Sequence, residues 1–432
     1  MATATATATT IVSRKHIEYV SPARQYTMGA VMLLLGLATW WLFARTTEAG
    51  VLTKFGLTPG GSTIKVPDLI FPTQTVLYVL AVLQILLAII QLVRKGGFQQ
   101  RTNLVLFLVA TMFVAAFLAW GAGGKSLNIG GLMKTTLIKA VPLTLGAMAG
   151  ILCERAGVVN IAIEGMMLAG AFGGAFVGSV SGNMWVGVAA GVGIGMLLGV
   201  IHAFLSITYK ANQIVSGTVI NILATGMTSY LSARFLQSHQ EWNNPGIFQP
   251  IEIPLLSKIP VIGPILFDNN MYVYAMFFFL ILLQFGLFYT RWGLRHRSVG
   301  EHPRAADTLG INVIRTRWVA VLLGAAMAGF AGSYFTLGSV GRFDEVMTAG
   351  RGFIALAAMI FGNWMPFGSF GAGLLFGFFD SLASKVAILG IQIPSQFLLM
   401  LPYLITIIVI AGVVGRTTPP AADGVPYEKE ST

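Results

Sequence analysis

RWGLRHRSVGEHPRAADTLGINVIRTR, residues 291–317, lies between two long apolar runs, and its reading decides the fold. It holds Arg291, Arg295, Arg297, Arg304, Arg315 and Arg317 against Glu301 and Asp307. Such a stretch cannot continue an apolar span, so it reads as a connection between two of them. Inside it is a helix signature: Pro303 at a first helical position, Ala305 and Ala306, Leu309, then Gly310 as a stop. Residues 303–309 at about 1.5 Å rise make a rod of roughly 10 Å. Charge alone suits a solvated loop whose arginines set topology. The embedded rod suits an element offered to a soluble partner.

The runs on either side belong to a set. The 432 residues are 55% hydrophobic and only 10% charged, with a mean hydropathy of +0.77. Soluble domains carry about 25% charge. Apolar runs of about 20 residues identify an all-α polytopic membrane protein. A membrane β-barrel would show alternating segments of roughly ten residues, and none is evident. The net charge of +11 sits in short loops between spans, so it sets membrane orientation and does not point to nucleic acid. The single cysteine, Cys153, excludes an intrachain disulfide.

In chain order, runs cover residues 27–44, 74–93, 103–120, 132–153, 163–180, 184–207, 212–235, 271–290, 318–338, a broken stretch 350–384, and 397–414. That gives about 10–11 transmembrane helices. From residue 121 glycine becomes dense. The chain therefore divides into a tail 1–26, N-terminal spans 27–120, a core 121–415 and a polar tail 416–432 expected to be mobile. Basic residues at 14–24, 94–101 and 291–317 place both termini in the cytoplasm, and the basic-poor segment 236–270 outside.

Two Gly-rich stretches, residues 151–178 and 349–377, share a plan. Each opens with an Arg-bearing polar patch, runs apolar, breaks at polar residues, and resumes as a small-residue helix. Paired interruptions imply broken helices and an internal, inverted repeat with the permeation site between the halves. Polar residues at or near these breaks are candidates for the substrate pathway: Asn160 and Glu164 in the first, Asn363 and Trp364 in the second, and Asn221 with Thr225 one helical turn apart. The rival use of each is interhelical bonding and packing. Asp380 and Lys385 can pair near a span end. GAGGKS at 121–126 lacks the first glycine of a phosphate loop, since Ala119 stands there, and GVGIG at 191–195 lacks a preceding strand. No His pair has a zinc-helix spacing, so no metal site is expected.

With these residues in hand, ERAGVVNIAIEGMMLAGAF (154–172) and GEHPRAADTLGINVIRTRW (300–318) resemble the permease subunits of ATP-binding-cassette importers, in the branched-chain amino acid, ribose and nucleoside superfamily. The nearest likeness is to the nucleoside or simple-sugar branch, over about residues 131–415. Residues 1–120 depart from the pattern. The resemblance implies import of nucleosides or a related pentose by alternating access. It implies a chain without its own ATPase site, working with two ATPase subunits that use ATP and Mg, a second permease (identical or homologous) and an extracytoplasmic binding protein, in the plasma or inner membrane. It makes the rod a coupling helix, with Gly300, Glu301, Pro303, Arg304, Ala305, Ala306, Asp307, Leu309 and Gly310 facing the ATPase. The rivals are a secondary transporter with inverted repeats, a permease of the superfamily for another small solute such as branched-chain amino acids, and an intramembrane enzyme. The last needs a convergent acid–base or metal set that the sequence does not offer.

Overall fold

The computed structural model describes residues 22–62, 64–94, 96–391, 394–410 and 417–429. Most of the expected tail 1–26 lies outside them, and its last residues, from Pro22, already belong to the first helix. The chain divides into two units, residues 1–54 with 70–126, and residues 55–69 with 127–432.

The first unit holds α1 (Pro22–Ala38), α2 (Thr73–Val93) and α3 (Thr102–Gly121). Met32, Ala88 and Val109 make its small core. Buried amides tie the helices at one end: Gln25 Nε2 donates to the carbonyls of Gln91 at 3.1 Å and Arg94 at 2.7 Å. At the other end Thr53 bonds Thr73 at 2.7 Å and the Ala119 carbonyl at 2.9 Å. Bonds to backbone carbonyls satisfy polar groups that an apolar medium would leave stranded.

The second unit is built on α4 (Ile129–Glu154), α5 (Ile163–Ser181), α6 (Met184–Ala203), α7 (Gln213–Leu231), a short α8 (Ile262–Leu266), α9 (Met271–Tyr289), α10 (Arg291–Glu301), α11 (Pro303–Thr308), α12 (Val313–Phe335), α13 (Arg351–Phe361), α14 (Pro366–Leu389) and α15 (Ser395–Ile410). The helices α4, α5 and α12 are mostly buried, whereas α6, α7 and α9 keep apolar faces outward. That is the distribution of a bundle with a small-residue centre and a greasy rim. Glycines allow the close approach in the centre. A Cβ at Gly170 or Gly195 would lie 2.5 or 2.7 Å from atoms of α12. Ten helices among the described residues are long and apolar enough to cross a membrane. Helix α13, with 11 residues, is about 16 Å long and is a half-span.

Two expectations are corrected. The Arg-rich stretch is not a loop. Thr290 caps α10 by accepting from Gly293 N at 3.1 Å, Pro303 starts α11, and Asn312 caps α12 by accepting from Arg315 N at 2.9 Å. Two helices and a corner therefore replace it. The C-terminal tail, in its described part 417–429, is packed against the second unit: Ala422 N donates to Gly300 O at 2.8 Å, and Arg317 Nη1 donates to Val425 O at 2.8 Å. Residues 411–416 and 430–432 lie outside the described residues.

Candidate functional site

The first break, residues 155–162, follows α4. Val158 N reaches back to Cys153 O at 3.1 Å, and Gly157 adopts a left-handed φ of +83°. The second break, residues 362–365, parts α13 from α14. Asn363 and Trp364 hold φ of +54° and +52°, which side-chain-bearing residues seldom adopt. Such strain persists where the surroundings fix it.

The surroundings here are the other break. Trp364 Nε1 donates to Glu154 Oε2 at 2.6 Å. Arg155 Nε donates to Trp364 O at 3.0 Å, and its Nη2 to Asn363 O at 3.3 Å. Burial, the larger effect, lowers the Arg155 pKa, and Glu301 opposes that shift from 3.9 Å. Two neighbouring side chains at the end of α4 thus hold the second break: Glu154 takes the Trp364 ring N–H, and Arg155 donates to the carbonyls of Trp364 and Asn363. The Trp364 ring packs among Leu143, Ile151, Leu287 and Met359. It offers no open face to a solute in this state.

Glu164 holds the other end of the half-span. Its carboxylate accepts from Thr348 Oγ1 at 2.6 Å, Gly350 N at 2.9 Å and Gly352 N at 2.6 Å, at the start of α13. An acceptor-only group matches a set of donors, and the free N–H groups of a helix start favour an anion. Asn221 clamps the first break to α7: its Oδ1 accepts from Gly165 N at 2.7 Å and its Nδ2 donates to Ile161 O at 2.9 Å. Asn160 is wholly buried, accepts from Ala162 N at 3.1 Å and points its amide at Cys153 and Met166 sulfurs. Thr225 turns back onto Asn221 O at 2.9 Å. So Asn160, Asn363 and Trp364 lie at the two facing breaks, Asn221 clamps the first break to α7, and Glu164 sits at the far end of α13. Their polar atoms are spent mostly on backbone.

Sequence reasoning missed the partner of Asp380. It pairs with Lys139 of α4, Nζ to Oδ1 at 2.8 Å, not with Lys385. Lys139 also donates to Ser384 Oγ at 3.1 Å. The two charged side chains are 31% and 34% exposed. A pair in mid-span that stays this open belongs to a cavity or a partner surface. The signal was visible as two lysines, Lys134 and Lys139, in the apolar run 132–153; the partner of Lys139 on α14 is 241 residues away.

At the Arg-rich corner, α11 stands as expected, with Gly310 at φ +82°. Its apolar face is divided. Ala306 is 2% exposed and packs on Val299, Val313 and Tyr427, whereas Leu309 is 82% exposed and Ala305 is also outward. Ala306 therefore seats the helix on its own protein, a correction to the expectation of one shared outward face. Leu309 follows the last helical residue, Thr308, as the C-cap, so it leaves the side that Ala306 occupies. Gly300 lies directly on the first break: a Cβ there would be 2.3 Å from Arg155 O. Burial lowers the His296 pKa to about 4, and its Nε2 bonds Leu152 O at 2.9 Å.

No group of three or more His, Cys, Asp or Glu that could hold a metal occurs among the described residues.

The sequence profile described as "Branched-chain amino acid transport system / permease component" matches residues 132–410. The chain is similar to the guanosine ABC transporter permease protein NupQ of Bacillus subtilis (strain 168), 40% identical over 307 residues, 69% of this chain and 96% of that protein. It is similar to the nucleoside ABC transporter permease protein NupC of Lactococcus lactis subsp. cremoris (strain MG1363), 42% identical over 302 residues, 68% and 95% of the two chains. A third, the putative glucose ABC transporter permease protein TsgC13 of Haloferax volcanii, is 34% identical over 305 residues, 66% of this chain and 92% of that protein. No solved structure gives a significant match.

Proposed function

The chain belongs to the branched-chain amino acid transport system / permease component family, and from that membership we propose that it imports nucleosides as the membrane subunit of an ATP-driven transporter. The observation that carries the solute class is the pair of relatives named for guanosine and nucleosides, matched over nearly their whole length at 40% and 42% identity. Permeases of this kind work with separate ATPase subunits and a substrate-binding protein. A second solute class, a sugar, rests on the relative named for glucose at 34% identity.

In this reading α11 seats in the ATPase and presents Ala305 and Leu309, while Ala306 anchors it from below. The basic corner 291–317 faces the cytoplasm, and the segment 236–270 faces outward. Residues 27–120 are read as added N-terminal spans and 121–415 as the permease core. The paired breaks are the moving parts. They answer each other as repeat halves would, and a closing ATPase pair that pushes α11 pushes Gly300 against the first break. The Arg155 and Glu154 bonds then carry the shift to the second break and α13. Asn160, Glu164, Asn221, Thr225, Asn363 and Trp364 line or position that pathway, and the open Lys139–Asp380 pair contributes polar groups to it.

The test is Leu309→Asp in the complex with its ATPases. Leu309 is so exposed that the fold should not change. Stimulation of ATP hydrolysis by the loaded binding protein should fall at least about tenfold, within the usual range for coupled sites. Wild-type stimulation with the complex intact would remove the coupling role. Competition of guanosine uptake by excess glucose would favour the sugar reading.

A further inference from the structure

The segment 417–429 has no apolar run to hold it, yet it is anchored at three places. Thr418 N donates to Asn363 Oδ1 at 2.9 Å, in the second break. Ala422 N donates to Gly300 O at 2.8 Å, and Ala421 N to Glu301 Oε2 at 3.2 Å, at the foot of the coupling helix. The Ala422 carbonyl also lies so close to Gly157 that a Cβ there would stand 2.9 Å away, in the first break. Beyond these, Arg317 Nη1 donates to Val425 O at 2.8 Å, and Asp423 lies beside Arg317 and Glu154. Tyr427 packs over the buried Ala306.

Ordering a polar segment costs chain entropy, and repeated anchors must offset it. Here the anchors fall on the coupling helix and on both breaks, the three elements that must communicate if ATP is to drive transport. We propose that residues 417–429 are a strap that ties α11 to both helix breaks so that the three shift together. The inference rests on the transport reading above and adds a positioning element to it. A displacement of α11 would then reach Asn363 along the strap as well as through Arg155, by two short parallel routes.

The test compares the full chain with a variant lacking residues 417–432 and with Ala422→Pro, which removes the N–H given to Gly300. Amide hydrogen exchange is read on each permease in nanodiscs. Residues 155–165 and 362–366 should exchange at least about fivefold faster in both variants, as residues 300–310 also should, since each lost bond leaves a local opening easier. In liposomes with the ATPases and binding protein, uptake per ATP hydrolysed should fall at least about tenfold while hydrolysis continues. Faster exchange confined to 300–310, or unchanged uptake per ATP, would overturn the strap. Should the truncated chain fail to fold, Ala422→Pro carries both readouts. Exchange is read whether or not the protein pumps. Absent ATP-driven uptake in the wild type would count against the transport reading, and unchanged exchange in the breaks against the strap.

Discussion

Replacing Glu164 should release α13 from the rest of the permease. Its carboxylate is buried and takes three donors, Thr348 Oγ1, Gly350 N and Gly352 N, at 2.6, 2.9 and 2.6 Å. A hydrogen bond to a charged group contributes about 1.5–3 kcal/mol. The three share one costly buried group, so they do not add. Removing the side chain strands two amides and a hydroxyl, and Glu164→Ala should cost about 3–5 kcal/mol, as when one partner of a buried charged network is deleted. Glu164→Gln keeps the volume and one good acceptor but sets an NH2 against a donor, and should cost about 1.5–3 kcal/mol. Thr348→Val removes one hydroxyl donor and should cost about 1 kcal/mol. The assay is unfolding of the purified permease in mixed micelles with rising SDS, followed by tryptophan fluorescence, beside uptake in liposomes. Uptake should fall in the same order, and more steeply than recovery of the assembled complex. An Ala variant within about 0.5 kcal/mol of wild type, the scatter of neutral surface changes, would refute the reasoning. Glu164 would then not be what holds the half-span.

Gln249→Cys should be labelled by an impermeant maleimide only from outside, with little background because Cys153 is buried; labelling from the cytoplasmic side alone would invert the topology. Gly300→Ala brings a Cβ within 2.3 Å of Arg155 O, where backbone cannot yield, and should cost about 1–3 kcal/mol in the same unfolding assay. Burial raises the Asp423 carboxyl from 3.8 to about 6, against the hydrogen bonds with Glu154 and the Gly424 amide and the charge of Arg317. Its folded state therefore binds the proton more tightly, and this contribution to stability is full below 3.8 and lost as pH rises through about 6. Thermal unfolding between those limits should show wild type gaining on acidification relative to Asp423→Asn; parallel profiles would contradict it.

The spans were legible because a run of apolar residues needs no partner to be recognised. The corner was half legible. Pro303 and Gly310 mark α11 by backbone chemistry, and both behave so in the structure. The direction of Ala306 was not, because a one-turn helix has no periodicity to read. Helix α10 was hidden by its arginines: charge spoke for a loop, while the buried positions Gly293, His296, Val299 and Gly300 were too few to show a stripe. The breaks were found from interrupted runs; Asn160, Asn363 and Trp364 sit at them and Asn221 clamps the first, whereas Glu164 holds the far end of α13. What each side chain bonds was not readable, because the partners come from the other break or from another helix. Glu154 to Trp364 spans 210 residues, and Lys139 to Asp380 spans 241. The tail was misread for the same reason. Its anchors are backbone amides, which composition does not display, on segments distant in the chain.

The direct measurement is uptake of labelled guanosine into liposomes carrying this permease, its ATPases and its binding protein, with sodium and proton gradients collapsed by ionophores. Uptake should be saturable, should survive the ionophores, and should vanish when the phosphate-binding lysine of the ATPase is replaced. Uptake that persists with the inactive ATPase and disappears with the ionophores would make this a gradient-driven carrier and contradict the assignment.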